Sequence, residues 1–251
     1  MVNRKLKSIS MVMVFLFLIA PSEILAEWLV DFETGAVFSG YNDVRIPNDS
    51  GTLFSLSDEL KTEPAPFFRV RLAYAWGNKH NITVLVAPLR LKAEGKIDRL
   101  VRFEGKEFPA NTGLKSIYRF DSYRLTYRYD FYDRCRFKIG AGVTGKIRDA
   151  SISLEGNYIE SEKKNTGFVP LVNFRLEWTF RKEFSILLDG DALAAPQGRA
   201  EDVLFALQHK PSKNVSLKLG YRILEGGADV DEVYSFALLS YVVVGVTVAF
   251  K

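Results

Sequence analysis

The chain has 251 residues, with 34 lysines and arginines against 30 acids and a formal net charge of +4. Four charged residues, Arg4, Lys5, Lys7 and Glu23, stand in an amino-terminal segment that is set apart below; without them about half of that excess is gone, so no nucleic-acid partner is implied. Cys135 is the only cysteine, which excludes an intrachain disulfide and a cysteine cluster for metal.

Behind the leading basic residues comes an apolar run from Ile9 to Ala20, closed by Pro21 and Ser22, with Ala26 as a cleavage point. This is the order of a secretory signal peptide, and the run is too short to span a membrane as a helix. Residues 1–26 are expected to be removed and residues 27–251 to form one domain.

From Glu27 onward one pattern recurs: an alternating segment, a break, another alternating segment. About ten segments can be read, each near the length of a tilted membrane strand. The first sets Trp28, Val30, Phe32, Ala36 and Phe38 against Asp31, Glu33 and Ser39. The second sets Phe68, Val70, Leu72, Tyr74 and Trp76 against Arg69 and Arg71. The third, Thr83 to Ala93, is less regular: Leu85, Ala87, Leu89 and Leu91 share a face, and Pro88 signals an irregularity. In the fourth, Tyr123, Leu125, Tyr127 and Tyr129 oppose Arg124, Thr126 and Arg128; in the fifth, Phe137, Ile139, Ala141, Val143 and Ile147 oppose Lys138, Lys146 and Arg148. The sixth pairs Val172, Phe174, Leu176 and Trp178 with Asn173, Arg175 and Glu177, and the seventh Phe184, Ile186 and Leu188 with Ser185, Asp189 and Asp191. The eighth, Asp202 to Gln208, points Val203, Phe205 and Leu207 one way. The ninth sets Val215, Leu217, Leu219 and Tyr221 against Ser216, Lys218 and Arg222. The tenth is Val233 to Phe250.

Short breaks at Gly77–Lys79, Tyr132–Arg134, Arg181–Glu183 and Pro211–Lys213 alternate with longer polar ones at Asn42–Pro66, Glu94–Lys115, Ser151–Gly167, Ala195–Glu201 and Glu225–Glu232. Short turns on one side and longer loops on the other suit an all-β, single antiparallel up-and-down transmembrane β-barrel. Ten strands are expected, with eight and twelve as the neighbouring even counts. Trp28, Trp76 and Trp178 all fall at strand ends on the short-turn side, as an aromatic girdle at a bilayer interface would have them. A soluble periplasmic lipid-binding barrel would turn the same apolar faces inward. That much aliphatic and aromatic bulk is too great for one small lumen.

The closing strand carries a resemblance. Tyr241, then Val242, Val244, Val246 and Val248, then the aromatic Phe250 resemble the terminal strand of bacterial outer-membrane β-barrel proteins. The resemblance implies that this strand is read by the barrel-assembly machinery, and that the partners are that machinery and outer-membrane lipid.

With the apolar faces outward, one set of charges falls in the lumen: Asp31, Glu33, Arg69, Arg71, Arg124, Arg128, Lys138, Arg148, Arg175, Glu177, Asp189, Asp191, Lys218 and Arg222. Enclosed charges persist when paired and hydrogen-bonded, so this set is expected to be a salt-bridged filling. Its surplus of cations would favour small anions if any solute passes. No metal site and no cofactor are expected. His80 and His209, the only histidines, fall beside short turns and are read as solvent-exposed. Gly140, Gly142 and Gly145 match a dinucleotide fingerprint in letters alone, inside a segment with strand alternation. Leu53 to Leu60 could form a short helix over the mouth, capped by Ser57 and anchored by Leu60. The expected function is a non-enzymatic envelope barrel, structural or a narrow pore. The alternative is an enzyme modifying envelope lipid, a hydrolase or acyltransferase, through carboxylates such as Asp189 and Asp191.

Overall fold

The computed structural model describes residues 26–196 and 198–250, so the expected signal peptide lies outside the described residues apart from Ala26. The elements are β1 (Ala26–Arg45), β2 (Phe54–Ser55), β3 (Ala65–Trp76), β4 (His80–Ala87), β5 (Arg90–Lys96), β6 (Val101–Phe103), β7 (Lys106–Phe108), β8 (Gly113–Arg134), β9 (Phe137–Gly156), β10 (Ile159–Arg181), β11 (Phe184–Ala195), β12 (Gly198–His209), β13 (Val215–Val230) and β14 (Val233–Phe250). All pairings are antiparallel, and β14 closes on β1 from Trp28↔Phe250 to Arg45↔Tyr234. The barrel therefore has no free edge around its waist, which is what lets a sheet stand in hydrocarbon.

The 12-stranded sheet resolves into ten staves. Strands β4 and β5 pair successive stretches of β8 and form one stave interrupted at Pro88–Leu89, while β2 only leans on the top of β1. Proline has no N–H to give to the ladder, so the interruption falls where the sequence predicts it.

Alternation sets sidedness. Leu125 and Phe205 are more than half exposed on the exterior, whereas their chain neighbours Arg124 and Leu204 are almost wholly enclosed. The third segment reverses the expected sense: Leu85, Ala87, Leu89 and Leu91 face inward, and Ile82, Val84 and Val86 form the exterior. Both sets are apolar, so composition could not choose between them.

One rim carries tight turns. Gly77 and Asn78 take positive φ between β3 and β4, and Cys135 does so between β8 and β9. At the other rim only two long connections remain. Three of the expected outer loops, Ser151–Gly167, Ala195–Glu201 and Glu225–Glu232, are instead mostly strand. Strands β9 and β10 stay paired up to Gly156↔Ile159, joined by Asn157 and Tyr158, both with positive φ as a tight hairpin turn requires. Above a bilayer both faces of a hairpin meet water, so its strands have loop-like composition.

The two long connections fold together into a cap. Residues 46–64 carry β2, and residues 97–112 carry the β6–β7 hairpin. Thr52 donates its amide to the Arg102 carbonyl, and Glu104 donates to Ile46. Phe54 meets Phe103 edge-on with ring centres 6.1 Å apart. Leu56, Leu60, Phe108, Leu114 and Leu154 are buried with them. The expected helix at Leu53–Leu60 is a single turn. Ser55 rather than Ser57 caps it, its hydroxyl accepting from the Asp58 amide while Glu59 accepts from the Ser55 amide. Leu60 is the buried anchor.

The sheet parts above Val70↔Val86, where β5 pairs with β8 but not with β3, and more widely between β10 and β11. Pairing of β10 with β11 ends at Val172↔Ala192, although β10 continues along β9 and β11 along β12. Above that point the two hairpins diverge.

Leu125 tests the sidedness. Leu125→Arg puts a charge on the lipid face of β8 and is expected to destabilise the barrel by about 2–4 kcal/mol, read by urea unfolding in phospholipid vesicles; an unchanged midpoint would mean that this face does not meet hydrocarbon.

Candidate functional site

The lumen is layered. At its waist lies a belt of interlocked ions. Glu33, fully enclosed on β1, accepts from Arg222 Nη2 at 2.8 Å, Arg71 Nη1 at 2.6 Å and Lys218 Nζ at 2.8 Å. Arg222 of β13 uses its other nitrogen on Asp202 of β12, which also takes Arg69 at 2.9 Å and Arg124. Arg124 bridges onward to Asp191 at 2.7 Å, and Asp191 is further held by Thr144 and Asn173. Asp31 meets Arg71 at 2.9 Å, Lys218, and the Thr247 hydroxyl at 2.6 Å. The belt thus ties β1, β3, β8, β11, β12 and β13 across the lumen. The guanidinium fork suits this, because one arginine can satisfy two carboxylates on different staves.

Toward the short-turn rim a vestibule of about 520 Å³ opens. Glu177 there meets Arg175 at 3.3 Å and Lys210; Asp130 meets Arg128 at 2.8 Å and Lys138 at 3.1 Å. Asp189 stands 3.9 Å from Arg175 and 4.0 Å from Arg128. Asp189 and Asp191 are therefore absorbed into ion pairs rather than poised as an acid–base couple.

Beyond the belt the lumen is not charged as expected. Val37, Phe67, Leu204, Leu239, Tyr241 and Val243 are buried there, with Tyr241 edge-on to Phe67 at 4.9 Å. Strand alternation marks these positions as inward, but the loops that keep water off them are distant in sequence. Above this layer lies a second cavity of about 400 Å³, mostly apolar, beside the split between β10 and β11. Arg148 lines it, and forms no ion pair among the described residues; the sequence-based grouping of Arg148 with the belt is corrected accordingly. The two cavities share no lining residue.

Four enclosed ions were not in the expected set; one of them, Asp121, sits at the Pro88–Leu89 interruption, where it takes the Leu89 amide at 3.2 Å and Arg90 Nη2 at 3.0 Å. Asp202 has the same strand parity as Gln208 and could have been read from β12. Lys146 could be read likewise from β9. Asp130 continues the inward parity of Arg124, Thr126 and Arg128 as the last enclosed position before the register shift ahead of Tyr132, so it too could have been read from β8.

No family model matches the chain, and no curated protein matches it. Solved structures do. The outer-membrane protease OmpT of Escherichia coli superposes with a TM-score of 0.53 at 7% identity, over 89% of this chain and 97% of that one. The attachment invasion locus protein Ail of Yersinia pestis, in complex with sucrose octasulfate, gives 0.43 at 10% identity, over 89% and 99%. Neisserial surface protein A gives 0.33 at 15%, over 89% and 97%. The chain has the fold of a bacterial outer-membrane β-barrel.

On the outside of this outer-membrane barrel, aromatic rings gather at the short-turn rim. Trp28 lies 4.9 Å from Tyr74, Tyr74 stacks on Trp76 at 5.8 Å, and Phe137 stacks on Trp178 at 6.2 Å. Both histidines belong to this row rather than standing free in water: His80 stacks on Trp76 and bonds the Tyr127 hydroxyl at 2.9 Å, and His209 stacks on Phe184. Neither reaches the enclosed carboxylates of the waist. In β14, Val242 and Val244 face outward, Tyr241 inward, and Phe250 pairs with Trp28 at the rim.

Two outcomes follow from these ions. Asp202→Ala leaves Arg69, Arg124 and Arg222 partly uncompensated and is expected to cost about 3–5 kcal/mol, seen as a lower urea midpoint. In the cap, the hydrogen bond from Arg99 holds the Glu59 carboxyl below its ordinary value of 4.5. A depressed carboxylate stabilises fully above that value and loses its contribution as pH falls through the lowered one. Pepsin should therefore nick the cap increasingly below about pH 4, and Glu59→Gln should be nicked with little further dependence on pH.

Proposed function

We propose that the protein is a non-enzymatic outer-membrane barrel, closed at its waist, whose working face is the outer mouth. The observation that carries this reading is the belt: Glu33 and Asp202 are each held by several cations from different staves, with an apolar layer stacked directly above. Ions hydrogen-bonded in this way leave no row of free sites along which a solute could hop. The absorption of Asp189 and Asp191 into pairs, and the seating of both histidines in the rim, support a role without hydrolysis or acyl transfer. The exposed aliphatic exterior suits lipid and not water, against a soluble periplasmic barrel.

In the same reading Trp28, Trp76 and Trp178 anchor the barrel at the periplasmic interface. Tyr241, Val242, Val244, Val246, Val248 and Phe250 present the strand taken up by the barrel-assembly machinery. The vestibule, with its surplus of arginine and lysine, admits small anions from the periplasm without passing them on.

Planar-bilayer recording tests the closure. The protein should give no steady conductance. Replacing the bridging cations, Arg124→Ser with Arg222→Ser, should produce small channel steps. A steady anion-selective current through the unaltered protein would replace this reading with a narrow pore.

A further inference from the structure

The upper cavity holds two cations that the belt does not use. Lys146 is 4% exposed, on the inward face of β9, level with Val169 of β10 just above the split. Among the described residues it makes no ion pair or hydrogen bond; its ammonium lies over the Phe120 ring, 4.7 Å from the centroid. Asp202, the enclosed carboxylate of the neighbouring belt, is already engaged by Arg69, Arg124 and Arg222. Arg148, one inward position further up, contacts Asn165 through Nη2, while its buried Nε has no partner. An enclosed cation without a counter-charge is costly, and a cation–π contact offsets only part of that cost.

Of the other charged groups on its lining, Lys163 is paired with Glu104 and Arg199 with Glu225, and Glu232 stands at the mouth; the remaining wall is mostly apolar. Phe168, Val169 and Pro170 of β10 form one jamb of the split, Leu193 of β11 the other, and Leu224 lies behind. Phe168 and Leu193 are exposed at the opening, so the cavity communicates sideways as well as upward. Pro170 gives no N–H to a ladder, which suits a strand whose partner has departed.

We propose that this cavity binds a single-chain amphiphile with one anionic head, a carboxylate or a phosphate ester. The head sits against Lys146 and Arg148, and the tail runs along Phe168, Val169 and Leu193 into the lateral opening. A volume of about 400 Å³ accommodates a medium-length chain. The site deepens the view of the outer mouth as the working face, but it stands apart from whether the waist conducts.

Isothermal titration of the protein in a zwitterionic detergent with octanoate tests it, with octyl phosphate, octanol and acetate as companions. Octanoate or octyl phosphate should bind once per chain and saturably, with octanol and acetate at least tenfold weaker. Lys146→Met should weaken binding at least tenfold and Lys146→Arg should restore most of it. Ala200→Trp, which fills the cavity from the inward face of β12, a strand that carries neither cation, should abolish it. Urea unfolding of each variant confirms that it is folded. No saturable binding, octanol binding as tightly as octanoate, or an unchanged affinity in folded Lys146→Met would each overturn the proposal. Octanoate binding by a protein that conducts would retain the site and discard only the closed waist.

Discussion

Arg222 holds the waist of this barrel together. Its two terminal nitrogens reach Glu33 on β1 and Asp202 on β12, strands separated in the ring by β13 and β14. A barrel wall is made of neighbour-to-neighbour hydrogen bonds, which say nothing about which staves face each other across the lumen. The belt supplies that missing constraint. Its energetic contribution is smaller than its number of contacts suggests, because burying the ions costs most of what their attraction returns. What it fixes is shape: arginine forks of set geometry leave few cross-sections in which every carboxylate is satisfied.

Much of this was legible from the chain. Ten staves, the sidedness of most strands and the enclosure of Glu33, Arg69, Arg124 and Arg222 all follow from a period of two. The same rule failed where a strand is apolar on both faces, as from Ile82 to Leu91. It also failed above the bilayer, where nothing forces a strand to look amphipathic. The residues from Ser151 to Gly167 have the composition of a loop, yet their backbone is paired almost throughout. The cap could not be foreseen, since Phe54 and Phe103 meet only after two separate connections fold against each other.

The lumen therefore joins two environments that rarely share one tube. The half toward the short-turn rim is ionic; the other half is a small hydrophobic core roofed by the cap. Aliphatic side chains such as Val37, Leu239 and Val243 face inward there because the roof keeps water away from them. Lys146, enclosed, and Arg148, half-buried, stand at the boundary among apolar neighbours, with no ion pair to the belt's acids among the described residues. Their lack of counter-charge is what separates the upper cavity from an ordinary packing defect.

The split between β10 and β11 has a second consequence. Where β10 rises past Leu171 beside β9, its other side presents a row of backbone donors and acceptors with no partner strand among the described residues. Such a margin invites a strand from a second molecule, and side-by-side growth of sheets is the usual hazard. Glu160, Glu162 and Lys164 line it with alternating, exposed charge. The two carboxylates, Glu160 and Glu162, set like charge against like in a second copy docking there in parallel register, which works against that mode of growth.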